Sequence, residues 1–254
     1  MPAHNTEVHE RICNSLNEAG ISLKTFNIDV NDFQLYLKEA SYHNYEYYDG
    51  GKGFNFVEKA LEHYVATKLL KIKKDDLYID IANAKSPVPN IYFKLYGCDV
   101  YSQDLIYPEG LHGKVIGGDA ADMPVENGFA SKMALHCSFE HFEGDSDIRF
   151  IREASRVLRP GGKLCILPLY LFTEYAIQTD RLLNPKLILD DDVTIYIADG
   201  WGTTHGRFYD IDRLKSRVID NLEDLIITIF VVMNEKEVDE SCYLKFAALI
   251  EKPL

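Results

Sequence analysis

Three aspartates, Asp80, Asp104 and Asp119, each close a strand-like run: "LYID", "CDVYSQD" and "GKVIGGD". Ligands of open α/β sheets gather outside the carboxyl ends of the strands, so a carboxylate there can accept hydrogen bonds from a ligand's hydroxyl or amino groups. Asp104 has the most informative spacing. It falls roughly twenty residues beyond the loop that follows the first run, where an acid can take both ribose hydroxyls of a nucleotide-like cofactor; a turn or cap is the plain alternative. The loop itself reads Ala82-Asn83-Ala84-Lys85-Ser86. Such folds usually place glycines there, which accept positive φ and let a cofactor touch bare backbone. Alanine and serine are the smallest replacements, yet a left-handed conformation costs each of them roughly 1–2 kcal/mol. Pro87 and Pro89 restrict the chain just beyond and favour a reset helix start.

A second group lies further along. His136 and Cys137 end a fourth strand-like run, followed at once by Glu140 and His141, and His136 at that edge could line a cofactor or substrate pocket. A histidine so placed can equally be a packed, hydrogen-bonded side chain. Between Phe172 and Asp210 sits a long insert carrying Trp201, His205, Arg207 and Tyr209, a polar-aromatic set that suits contact with a substrate, or aromatics packed beneath a surface loop. No HExxH or carboxylate-rich spacing points to a metal, and none is expected.

These residues need a scaffold, and periodicity supplies one. "NFVEKALEHYVATKLLKI" places Val57, Ala60, Leu61 and Tyr64 at helical spacing and reads as an amphipathic helix. Beyond it strands and helices alternate: "DLYIDIA", "NIYFKLYG", "CDVYSQDL", "GKVIGGDA", "SKMALHCS", "SDIRFIREASRVLR", "GKLCILPLYL". Pro160-Gly161-Gly162 is expected to end the last helix. Such alternation predicts a parallel sheet with helices on both faces. "DLIITIFVVMN" and "SCYLKFAALIEK" are joined only by "EKEVDE", too short for a parallel crossover, so they must pair antiparallel. The expectation is an α/β, Rossmann-like, seven-stranded, mostly parallel sheet with an antiparallel C-terminal hairpin. Residues 1–55 read as an N-terminal helical or lid segment, with the glycine- and tyrosine-rich stretch Tyr45 to Gly53 closing over the site. Residues 56–254 read as the main domain, with its covering insert at about 172–210.

Composition narrows the function classes. The 254 residues carry a formal charge of −13, which argues against a broad phosphate-backbone interface and hence against nucleic acid as partner. Five scattered cysteines, with no CxxC pair, fit reduced thiols in a cytoplasmic protein. The N-terminus lacks a signal peptide's apolar core, and the most apolar run, "LCILPLYLF", is too short to span a membrane.

The block "GDAADMPVENGFASKMALHCSFEHF" followed by "REASRVLRPGGKLCIL", in that order and separation, resembles the class I S-adenosylmethionine-dependent methyltransferases, in the group that methylates small molecules. The resemblance runs from about Phe56 to the C-terminus, and the Ala82–Ser86 loop departs from the family's glycine pattern. It implies S-adenosylmethionine as cofactor: Asp80 toward the methionine amino group, Asp104 on the ribose, Asp119 and the Ala120 backbone N–H on the adenine. Ala82, Asn83 and His136 would complete that site, with Lys85 able to reach the cofactor's carboxylate. The implied activity is O- or N-methylation of a small molecule, such as a sugar or nucleotide-linked metabolite. Trp201, His205, Arg207 and Tyr209 would contact the acceptor. His205, then His136, is the candidate base, and Tyr209 would orient the acceptor. A fold that lost cofactor binding with its glycines and serves as a scaffold is the alternative. A dinucleotide oxidoreductase is disfavoured by the missing G-x-G-x-x-G and the antiparallel end. Oligomeric state is not legible.

Overall fold

The structure is a computed structural model and describes residues 5–53, 55–183 and 190–254. Its main sheet contains, in chain order, β1 (Leu23–Phe26), β2 (Leu77–Ile81), β3 (Asp99–Asp104), β4 (Gly110–His112), β5 (Val115–Gly117), β6 (Ala130–His136), β7 (Leu158–Leu167), β11 (Ile226–Val232) and β12 (Phe246–Glu251). Across the sheet the order is β1-β11-β12-β7-β6-β2-β3-β5-β4. The neighbours from β7 through β6, β2 and β3 to β5 are parallel, whereas β12 lies antiparallel to both β7 and β11. The Rossmann-like plan and its antiparallel hairpin are therefore as expected.

Several details differ from the expectation. The sheet has nine described strands rather than seven, because short strands β1 and β4 extend its two edges. β1 pairs parallel with β11, Leu23 opposite Ile229, so residues before 56 belong in part to the main sheet rather than to a separate lid segment. Helix α5 (Ser146–Val157) stops before Pro160-Gly161-Gly162. That triplet forms a bulge inside β7, where the register with β6 jumps from Ala130–Leu158 to Lys132–Lys163. "EKEVDE" is no simple turn, since it contains the short helix α7 (Glu235–Val238).

Alternation along the strands decides what faces each side of the sheet. On β2, Ile79 and Ile81 join the core beneath α1 (Thr6–Glu18), α5 and α6 (Ile211–Arg217). Tyr78 points the other way, into the core under α2 (Val30–Ala40), α3 (Phe56–Leu70) and α4 (Val88–Tyr96), and Asp80 shares its parity. On β6 the same rule sends Met133 and Leu135 to the first core and Ala134 to the second, with His136 in step. Asp80 and His136 are thus both turned toward α3. That helix is not amphipathic: it is buried nearly all round, and Glu58, Glu62 and His63 lie in its interior-facing turns.

The insert folds into a second, three-stranded sheet in the order β10 (Gly206–Phe208), β8 (Ala176–Thr179), β9 (Thr194–Ile197); its residues 184–189 lie outside the described set. A buried ion network ties this sheet to the main domain. Arg207, fully buried, is surrounded by the Tyr175 hydroxyl, the Asp190 and Asp147 carboxylates and the carbonyls of Phe142 and Gly144. Asp147 also accepts from Tyr209 Oη at 2.6 Å and from Arg217 at 2.7 and 2.9 Å. Asp210 caps α6, accepting from Arg213 N at 2.8 Å. Removing one charge from a buried network strands its partners. Asp147→Asn is expected to lower stability by about 3 kcal/mol or more, read as a shift of the urea midpoint at unchanged slope.

Candidate functional site

The loop after β2 takes the course that glycine would have taken, without glycine. Ala82, Ala84 and Lys85 have φ of +50°, +49° and +64°. Neighbouring groups hold the loop in that shape. Ala82 N donates to Gln103 Oε1 at 3.2 Å, Asn83 N to Gln103 O at 2.9 Å, and Ala84 N to Asp104 Oδ2 at 2.7 Å. The Asn83 side chain donates to Asp80 Oδ2 and to Ser86 O, and its Oδ1 accepts from Tyr107 Oη at 2.9 Å. Lys85 is exposed and points to no partner among the described residues.

Against this loop lies a cavity of about 430 Å³ lined by Asp80, Asn83, Ser86, His63, His136, Lys59 and Cys137, with Tyr47 and Tyr48 on the opposite side. The two tyrosines come from the glycine- and tyrosine-rich stretch. Tyr48 Oη lies 3.0 Å from Ser86 Oγ and 3.4 Å from His63 Nε2. Asp80 is only 2 % exposed and accepts from Tyr78 Oη at 2.9 Å. Burial pushes its carboxyl up to about 7, although Asn83 and Tyr78 pull the other way. The nearest basic group is His136 Nε2 at 3.7 Å. Burial holds that imidazole down at about 3, and its Nδ1 has no hydrogen-bond partner among the described residues. Asp80 is therefore a buried acid on a cavity wall that Lys59 also lines, and His136 is the basic group within ion-pair reach of it among the described residues.

A second cavity, of about 370 Å³, opens between the carboxyl ends of β6 and β7 and the insert sheet. Its lining includes Lys59, Cys137, Glu140, His141, Tyr170, Gln178, Trp201 and Tyr243. Lys59 and Cys137 line both cavities. Lys59 Nζ reaches Glu62 Oε1 at 2.9 Å, and burial raises the Glu62 carboxyl to about 8. Cys137 sits at φ +50°, its Sγ 3.6 Å from Tyr170 Oη. A non-glycine residue in that region is strained and persists only where its surroundings hold it. Trp201 covers the mouth at 37 % exposure. A β-carbon on Gly206 would fall 2.5 Å from its indole, so any larger residue there must push the ring aside.

The structure brings some expected site residues together and separates others. Asp80, Ala82, Asn83 and His136 share the loop cavity, and Asp104 meets the same loop through Ala84 N. Asp104 is half-buried and is followed by exposed Leu105 and Ile106. Asp119 is more committed: Oδ1 accepts from Ala121 N at 2.9 Å in an Asx turn, and Oδ2 from Arg149 Nη1 at 3.0 Å. Ala120 is buried beside it. Trp201 faces the second cavity. His205, Arg207 and Tyr209 do not, which corrects the reading of them as acceptor contacts and of His205 and Tyr209 as catalytic. His205 is 1 % exposed, its Nδ1 donating to Glu140 O at 3.0 Å, and burial together with Arg207 holds it down at about 4. Arg207 and Tyr209 are consumed by the Asp147 network.

The residues overlooked in sequence are Lys59 and Glu62 on α3, Tyr170 after β7 and Tyr243 before β12. The available signal was the charged "EK" and "EH" pairs on a helix that is otherwise mostly apolar. Among the described residues no group of three or more His, Cys, Asp or Glu could hold a metal, and no helix is long and apolar enough to cross a membrane.

Residues 81–166 match the family model described as a methyltransferase domain. No curated protein sequence is significantly similar to the chain. Among solved structures, the PH0226 protein of Pyrococcus horikoshii is 16% identical with a TM-score of 0.50, covering 84% of this chain and 98% of that one. A chain assigned as a methyltransferase, from a complex with the Haloferax volcanii Trm112 methyltransferase activator, is 10% identical with a TM-score of 0.50, covering 85% and 98%. The Burkholderia thailandensis 1,6-didemethyltoxoflavin-N1-methyltransferase, solved with 1,6-didemethyltoxoflavin and S-adenosylhomocysteine, is 11% identical with a TM-score of 0.49, covering 91% and 93%. Residues 81–166 thus carry a methyltransferase-domain match, and the chain shares the fold of the Pyrococcus horikoshii and Haloferax volcanii structures. The cofactor that the sequence resemblance implies for such a domain is S-adenosylmethionine.

The residues present fit this group. Asp80 offers a buried carboxyl to the amino-acid ammonium, the loop cavity has room beside it, and Asp104 ends the neighbouring strand. Bound there, the cofactor would supply a methyl carbon activated by a sulfonium. An ammonium binds ionised Asp80 better than neutral Asp80, so binding must release the proton that Asp80 retains below about pH 7. Affinity for S-adenosylhomocysteine is therefore expected to rise about tenfold between pH 6 and pH 8 and then level off. Asp80→Asn should bind more weakly and with no such rise. Calorimetry at four pH values checks both.

Proposed function

We propose that this chain transfers a methyl group from S-adenosylmethionine to a small-molecule acceptor by O- or N-methylation. The observation that carries the reading is the meeting of two cavities at Lys59 and Cys137: one bordered by the Ala82–Ser86 loop and Asp80, the other walled by Tyr170, Trp201 and Tyr243. Methyl transfer needs donor and acceptor aligned across such a junction, and orientation supplies much of the acceleration. A cavity of about 370 Å³ with aromatic walls and a few polar groups is in the range that small ligands occupy.

Asp80 and Asp104, at the ends of adjacent strands, would hold the cofactor, and Lys59 and Cys137 would flank the transferring carbon. Trp201 and the insert sheet would cover the acceptor, keeping water out. A scaffold role is favoured by one observation: the loop's own groups already satisfy much of Asp80, Asn83 and Asp104.

Incubation with methyl-labelled S-adenosylmethionine and fractionated small metabolites separates the two readings. Label should enter a low-mass product with the native chain and not with Asp80→Ala. Label in no product, together with absent S-adenosylhomocysteine binding, would establish the scaffold. The sole tryptophan gives a second test. Gly206→Ala is expected to shift Trp201 emission and raise the acceptor KM at least several-fold while S-adenosylhomocysteine affinity stays within twofold of native; an unchanged KM would remove Trp201 from the acceptor site.

A further inference from the structure

The acceptor cavity is lined by a histidine whose ring proton the fold has already placed. His141 ends the short 3-10 turn Phe139–His141 after β6 and lines that cavity. Its Nδ1 is hydrogen-bonded to the His205 carbonyl. A carbonyl oxygen can only accept, so a proton must sit on Nδ1, and in the neutral ring the lone pair is left on Nε2. Nε2 makes no hydrogen bond among the described residues, and it is not walled in, since the side chain is 36 % exposed. Glu140 Oε1 stands 3.5 Å from it. That is longer than a hydrogen bond, yet close enough to favour a positive charge on the ring.

The turn is clamped to the insert in both directions. His205 Nδ1 donates to Glu140 O at 3.0 Å, while the His205 carbonyl accepts from the His141 ring. His205, itself buried and outside the cavity, thus fixes the orientation of the histidine that lines it. An imidazole held at one nitrogen by a backbone carbonyl keeps one tautomer and presents the other nitrogen as an acceptor. Around it the walls are aromatic. The Trp201 indole lies 6.3 Å from the His141 ring, and Tyr170 and Tyr243 line the same cavity. Such walls suit a planar ring, which they can meet by offset or edge contact.

Resting on the methyl-transfer reading above, we propose that His141 is the general base of the reaction and that the acceptor is a hydroxyl carried on an aromatic ring. A neutral amine attacks with its own lone pair, whereas a hydroxyl must give up its proton as it attacks. An aromatic hydroxyl, ordinarily near the tyrosine value of about 10, yields that proton to an imidazole far more readily than an alkyl alcohol does. Its oxygen forms the C–O bond as the donor's C–S bond breaks, with that electron pair left on sulfur, and the hydroxyl proton passes to His141 Nε2. Positive charge thereby leaves sulfur and appears on the imidazole, held between the His205 carbonyl at Nδ1 and the Glu140 carboxylate near Nε2. The proton then leaves to solvent from the exposed edge of the ring.

The first test reads the proton directly. In long-range proton–nitrogen spectra of the full chain at pH 8, the ring signals that disappear in His141→Gln should report a neutral imidazole protonated on Nδ1, the less common form in water. The second uses 4-methylphenol and its methyl ether, 4-methylanisole, which has no proton to give. With the chain saturated in S-adenosylhomocysteine, the phenol should move the Nε2 signal and bind at least about fivefold more tightly than the ether, the order of one hydrogen bond. His141→Leu should erase that preference while S-adenosylhomocysteine affinity stays within about twofold of native. With deuteromethyl donor and fractionated small metabolites, mass spectrometry should place the label on oxygen, with the rate lowered at least about 100-fold in His141→Gln. A proton on Nε2, a ring protonated on both nitrogens, a phenol that binds no better than its ether, label on nitrogen, or a His141→Gln rate within about tenfold of native would each overturn the proposal. Failure of S-adenosylhomocysteine itself to bind would instead overturn the methyl-transfer reading beneath it.

Discussion

The site depends on a backbone constraint: the loop after β2 must turn left-handed to leave room beside Asp80, and no glycine is present to make that turn cheap. Three residues, Ala82, Ala84 and Lys85, adopt it. At roughly 1–2 kcal/mol each, the strain is comparable to the gain from the hydrogen bonds that pin the loop, each contributing about 0.5–1.5 kcal/mol. Those bonds come from Gln103 and Asp104 on β3, from Tyr107, and from Asn83 folding back on Asp80 and Ser86. What glycine would supply by lacking a side chain, this chain supplies by bonding the loop to its neighbours. Asn83, whose side-chain amide both donates and accepts, is the loop residue that bonds to most of them.

The two cavities meet along one short stretch of α3. Glu58, Glu62 and His63 are buried charges or polar groups on a helix packed on all sides. Their placement brings Lys59 to the seam between the two cavities, next to a strained Cys137. Burying so many ionisable groups is expensive for stability. Burial shows in the carboxyls themselves, with Glu58 raised to about 7 and Glu62 to about 8. Functional clefts concentrate such groups, whereas a plain structural helix at this position would carry apolar side chains. The insert sheet covers the seam, and the Arg207–Asp147–Asp190 cluster locks it down.

Much of the scaffold was legible because periodicity and connection length determine it. The alternating runs gave the parallel strands, and the short link before Ser241 required the antiparallel hairpin that β11 and β12 form. Strands of three or four residues, such as β1 and β4, carry too few residues for a pattern, so the sheet's edges were missed. At the site, strand-end acids could be picked out because a sheet's topology places them. His205, Arg207 and Tyr209 looked exposed because polar side chains usually are. Only the fold shows that Asp147 and Asp190, distant in sequence, bury them. Conversely, the helix of residues 56–70 reads as amphipathic, and nothing local to α3 reveals that its second face is also covered.

The most direct measurement is a crystal structure grown with S-adenosylhomocysteine. Its amino group is expected on Asp80 and its sulfur turned toward Cys137 and Lys59, with the left-handed turns at Ala82, Ala84 and Lys85 unchanged. A structure without the molecule at saturating concentration, with Asn83 and Tyr107 still closing over Asp80, would contradict it.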